Sequence, residues 1–99
     1  MKITFYALAD PKTGDVRYIG VTRKSLDERL KSHISDCHTR LQQPVSRWVK
    51  HLVEDRNQKP LIIQLKQEET ETYEGIEKAR REIVRHLKKR KYPILNSGV

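Results

Sequence analysis

Two tyrosines, an arginine and a histidine are the side chains here whose joint placement could do chemistry. Tyr6 and Tyr18 fall in two apolar segments joined by a polar turn, and Arg29 and His33 lie four residues apart in the segment that follows. A spacing of four stacks the second pair on one face of a helix. If that helix covers the hairpin, two phenols, a guanidinium and an imidazole meet on a surface that would otherwise be plain core. Burying polar groups there is costly unless they bond to one another. Taken singly, a half-buried Tyr or His is a packing residue with a satisfied polar end. Their joint placement is what points to a site. A phenol ordinarily titrates near ~10, so it acts as a base near neutrality only where cations favour the phenolate.

Such a site needs elements to hold it, and the chain spells them out. ITFYALAD mixes β-branched and aromatic residues as a strand does. Asp10, Pro11, Lys12, Thr13 and Gly14 are turn chemistry, and VRYIGV continues as a second strand, so Ile3 to Val21 forms an antiparallel hairpin. Ser25 and Glu28 have the spacing of a capping box, and Leu26, Leu30 and Ile34 supply the apolar stripe behind it. Val45, Trp48, Val49, Leu52 and Val53 trace one face of a second amphipathic helix. LIIQL, from Leu61 to Leu65, reads as a third strand and is expected to be central. A last helix spans Thr72 to Lys89, with Ile76, Ala79, Ile83, Val84 and Leu87 inward, and Pro93 ends it. Ile94 and Leu95 form an apolar plug. The expected fold is a single α+β domain over residues 1–99, a small three-stranded antiparallel sheet flanked by helices in the order β-β-α-α-β-α.

The charge balance narrows the partner. With 21 Lys and Arg against 13 Asp and Glu, the formal charge is +8 and the pI is about 9.8. That surplus on 99 residues suits a polyanion, nucleic acid above all. Glu68, Glu69, Glu71, Glu74 and Glu77 approach or open the last helix, where its dipole favours them. Lys88, Lys89, Arg90 and Lys91 close it; dipole complementation explains part of that run, and a phosphate-facing patch explains four consecutive cations better. The single cysteine, Cys37, excludes an intrachain disulfide and reads as a small apolar filler. No apolar run approaches membrane-spanning length, so the expected location is cytoplasmic and no membrane partner is expected.

FYALAD, the polar turn, RYIG and VTRKSLDERLKSH together resemble the signature of the GIY-YIG nuclease superfamily. Tyr18, Ile19 and Gly20 match its second motif, Tyr6 stands in a degenerate first motif, and Thr22, Leu26, Arg29 and His33 follow in register. Arg47 and Trp48, LIIQL and Pro93-Ile94-Leu95-Asn96 resemble its later segments, so the likeness covers nearly the whole chain. The resemblance implies a small DNA endonuclease that hydrolyses phosphodiesters with Mg2+ or Mn2+. It implies Tyr6 as the base that helps deprotonate water, Arg29 as the stabiliser of phosphate charge, and Tyr18 and His33 as assisting catalytic groups. Counted back from Asn96, the position of the family's metal-binding glutamate is Arg80, an inward-leaning cation that cannot ligate a metal. Glu77, one turn earlier, is the substitute carboxylate, whereas Glu82 points away. The alternative implied is a domain that kept the fold and lost the metal, binding nucleic acid or a protein. Arg80, Lys88, Lys89, Arg90, Lys91 and Asn96 are then the expected substrate contacts, with Asn96 equally suited to bracing a turn. DNA is the expected partner, RNA the next, and a second copy or another protein would supply specificity.

Overall fold

The structure is a computed structural model that describes residues 2–69 and 72–96. Its elements are β1 (Lys2–Ala9), β2 (Val16–Thr22), α1 (Leu26–Asp36), α2 (Pro44–Asp55), β3 (Leu61–Glu69) and α3 (Tyr73–Lys89). They occur in the expected order, as a three-stranded antiparallel sheet with three helices.

The sheet order is β2-β1-β3, which makes β1 the central strand and puts LIIQL on an edge, contrary to the expectation from its apolar run. The reason is legible in β1 itself. Every residue from Ile3 to Ala9 is buried, so β1 is apolar or satisfied on both faces, as a central strand must be. β3 continues past the apolar run through Lys66, Gln67, Glu68 and Glu69, and charged residues of this kind protect a free edge. Glu68 and Glu69 belong to this strand, Glu74 lies in the first turn of α3, and Glu71 falls outside the described residues.

Alternation along the hairpin sorts its side chains onto two faces. The pairs Tyr6 with Gly20 and Leu8 with Tyr18 lie on one face, and Ala7 with Ile19 lies on the other. On the first face Tyr6 and Leu8 pack with Cys37 and with Val45, Trp48, Val49 and Leu52 of α2, while Leu26, Leu30 and Ile34 of α1 close over them. On the second face Val84 of α3 seats on Ala7 and Ile19. Two thin cores thus share one sheet, and the polar site belongs to the α1 side. Among the described residues, no helix is long and apolar enough to cross a membrane.

The caps behave as the spacing requires, with one difference. Ser25 Oγ accepts from the Glu28 backbone N–H at 3.2 Å, but Glu28 accepts from the Ser25 hydroxyl rather than reaching back to its N–H. At the end of α3, the N–H of Tyr92 reaches Leu87 O and that of Lys91 reaches Lys88 O. This is a Schellman closure with Lys91 at φ 65, a conformation glycine usually takes.

Candidate functional site

The site begins at the pair Tyr6 and Gly20. A Cβ on Gly20 would lie 2.3 Å from both Cζ and the hydroxyl of Tyr6, so the tyrosine ring occupies the space a side chain would need. The missing side chain at Gly20 is what leaves room for the hydroxyl end of the Tyr6 ring over β2. A register shift between β1 and β3 at Phe5 and Tyr6 leaves Leu65 as an extra residue on the opposite strand, a bulge of the type that re-aims side chains beside sites.

From that position the Tyr6 hydroxyl meets α1. It lies 2.7 Å from His33 Nε2 and accepts from Arg29 Nε at 3.0 Å. Tyr18 completes an aromatic triangle, its ring centroid 5.7 Å from that of His33 and 6.5 Å from that of Tyr6. Tyr6, Tyr18, Arg29 and His33, expected from spacing alone to share a surface, do converge.

The electrostatics fix who donates. Burial pushes the Tyr6 phenol up to about 12, outweighing the opposing pull of the Arg29 cation, with Tyr18 adding to the rise. Burial lowers His33 to about 4, and the neighbouring Arg29 charge acts in the same direction. Neutral imidazole Nε2 therefore accepts a hydrogen bond from the phenol while the phenol oxygen accepts one from Arg29 Nε. Fully buried, the phenol is held protonated at neutral pH. The base role expected of Tyr6 needs more positive charge than Arg29 alone provides.

Arg29 has a second surface. With Arg23 and Lys24 of the β2–α1 connection, Val21, Thr22, Ile3 and Ile76, it lines an open groove of about 320 Å3. Arg23 and Lys24 were not singled out from the sequence, although two cations directly before a helix cap beside a candidate phosphate residue were a readable signal. A different cavity, of about 220 Å3, is lined by Tyr18, Gln43, Pro44, Val45, Arg80, Leu95 and Asn96. Arg80 and Ile76 are one helical turn apart, so α3 borders both openings.

The remaining expected site residues separate into groups. Asn96 is buried and exchanges two 2.9 Å bonds with Ile19, donating to its carbonyl and accepting from its N–H, so the carboxamide pairs with the free edge of β2 as a brace. Lys88 Nζ donates to the Asn96 carbonyl at 3.3 Å. Lys89, Arg90 and Lys91 are exposed at the end of α3 and, among the described residues, bond to none of the four central side chains. Cys37 is buried and donates to Ile34 O, a packing role that suits its thiol, which burial pushes up. Glu77 Oε2 accepts from Arg80 Nη2 at 2.6 Å.

That last bond bears on the metal. A hard divalent cation held by a lone carboxylate needs that carboxylate free of a competing cation. Glu77 is neutralised by Arg80, and among the described residues no three His, Cys, Asp or Glu side chains gather as a ligand set. As arranged here, these residues do not fit Mg2+ or Mn2+.

Sequence reasoning also missed Asp10 as a hub. Its carboxylate takes Arg56 at 2.9 and 3.2 Å and the N–H groups of Lys12 and Thr13, and the Arg56 bonds above all hold it down at about 2. The signal for Asp10 was its turn position; the partner 46 residues away was not readable. Comparison of the chain with family models, with curated proteins and with solved structures finds no match in any of the three.

Proposed function

We propose that this chain is a nucleic-acid-binding domain of GIY-YIG type that seats a backbone phosphate of DNA against Arg29. The observation that carries this reading is the position of Arg29. Its Nε is anchored on a buried phenol, and the side chain lines an open groove with two further cations on a chain of net charge +8. A fixed guanidinium presents a fork to phosphate oxygens with little ordering left to lose. Arg23 and Lys24 extend the field along a strand of phosphates, giving the salt-dependent affinity typical of backbone binding.

A second reading, hydrolysis of the phosphodiester as a small endonuclease using Mg2+ or Mn2+, is favoured by a specific observation. The full set Tyr6, Tyr18, Arg29 and His33 is assembled within bonding or ring-contact distance, more apparatus than phosphate binding requires. That reading asks Glu77 to leave Arg80, which is why it stands second.

One experiment separates them. Supercoiled plasmid and a labelled duplex are incubated with the full chain in Mg2+, Mn2+ or EDTA, alongside Arg29→Ala and Tyr6→Phe. Salt-sensitive binding in EDTA, weakened by Arg29→Ala and without nicking, is the expected result. Metal-dependent nicking lost in both variants would establish the second reading, and no duplex or RNA binding at low salt would sink the first.

A further inference from the structure

Arg80 is chemically unfinished. Its Nη2 is given to Glu77, its Nε is buried without a hydrogen-bond partner, and its Nη1 makes no bond among the described residues. A guanidinium carries five donors, and leaving buried ones unmet is unfavourable unless something supplies acceptors. Beside it lies the 220 Å3 cavity shared with Tyr18, whose ring stacks edge-on to His33 of the central cluster. The side chains around that cavity offer donors from Gln43 and Tyr18, and Glu77, the carboxylate bonded to Arg80, is not among its lining residues. This is the composition of an anion site.

We infer that Arg80, held by Glu77, is a fixed cation that binds a second backbone phosphate in the Tyr18–Gln43 cavity, in place of a divalent metal. The inference rests on the proposed nucleic-acid binding and adds where the neighbouring phosphate sits. Ile76 borders the Arg29 groove and Arg80 the second cavity. One turn of α3, a rise of roughly 6 Å, separates these two lining residues, so the same helix borders both openings. Glu77 then serves to orient the guanidinium, and its single bond leaves Arg80 a net donor. Engagement of the two sites requires no metal, so EDTA leaves binding intact.

The test is a titration of the full chain with a short DNA duplex in EDTA, following the arginine Nε–H signals by NMR and affinity by fluorescence anisotropy at several salt concentrations. The expected result is a large shift of the Arg80 Nε–H signal on binding. For Arg80→Gln, the slope of log affinity against log salt falls by about 0.9, with roughly three- to tenfold weaker binding. Should Arg80→Gln fail to fold, the NMR shift on the unmodified chain decides alone. If the duplex binds and Arg29→Ala weakens it, while the Arg80 signal and the Arg80→Gln slope stay unchanged, this inference is overturned and the Arg29 reading survives. If nothing binds, both fall. Selective broadening of the Tyr18 and Glu77 signals by Mn2+ would also overturn it, because a metal would then hold the place given to Arg80.

Discussion

At the scale of residues, the site is a contest between burial and charge, and burial wins. Tyr6 stays protonated and His33 stays neutral because the sheet and α1 bury the first fully and the second in part. For His33 the sign follows directly. The unfolded imidazole binds a proton near ~6.5 and the folded one only at about 4, so the unfolded chain holds more protons in between. The stability tied to His33 is complete above pH ~6.5, declines as pH falls toward 4, and amounts to roughly 2–3 kcal/mol. Urea midpoints at pH 7.5, 6 and 5 should fall in that order, and His33→Phe should flatten the trend; an unchanged midpoint would contradict the buried neutral imidazole. Asp10 acts in a separate window, its contribution complete above the ordinary carboxylate range and lost as pH falls through about 2. Gly20 offers the sharper steric test. Gly20→Ala places a methyl inside the Tyr6 ring, and either β2 shifts or the ring swings away from His33. The expected cost is about 1–3 kcal/mol, with loss of Arg29-dependent binding, read from a urea midpoint and a duplex titration on one sample.

At the scale of elements, the closure of α3 places a residue where backbone conformation favours another. Lys91 occupies the left-handed position that ends α3, where glycine is unstrained. Lys91→Gly is therefore expected to hold or raise stability, by up to about 1 kcal/mol, while weakening duplex binding. A variant that lost stability would show that the lysine stem packs. The segment after α3 is an element in its own right, although it has no regular structure. Leu95 N–H bonds Arg17 O, Arg17 Nε bonds Pro93 O, and Asn96 pairs with Ile19. It therefore acts as a short fourth rail along β2. Asn96→Ala leaves the N–H and C=O of Ile19 without their partners, and a loss of about 2 kcal/mol is expected in thermal or urea unfolding, with binding weakened only through that instability.

At the scale of the whole molecule, +8 on a small domain sets a long-range field whose effect is measurable apart from any single contact. Neutralising Lys88, Lys89, Arg90 and Lys91 together should lower the salt slope of duplex binding by up to about 0.9 per charge that touches phosphate. A slope unchanged by all four would assign the run to dipole complementation and the Asn96 contact alone. Arg23, Lys24 and Arg29 line one groove and Lys88, Lys89, Arg90 and Lys91 close α3, so the same series tests whether the second group adds to binding at the first.

Much of the fold is encoded locally. Hairpin, caps, helix faces and element order follow from residue type and period, because those signals act within a few residues. The i, i+4 spacing of Arg29 and His33 already placed them together on α1. What local signals could not decide was which strand is central, whom Asp10 and Asn96 bond, and whether Glu77 is free. Those outcomes depend on partners far apart in the chain, brought together only when the two faces of β1 are both covered. The resulting burial set the protonation of Tyr6 and His33, and the packing of α3 gave Glu77 to Arg80. Residue types could name the site; only packing could set its charge state.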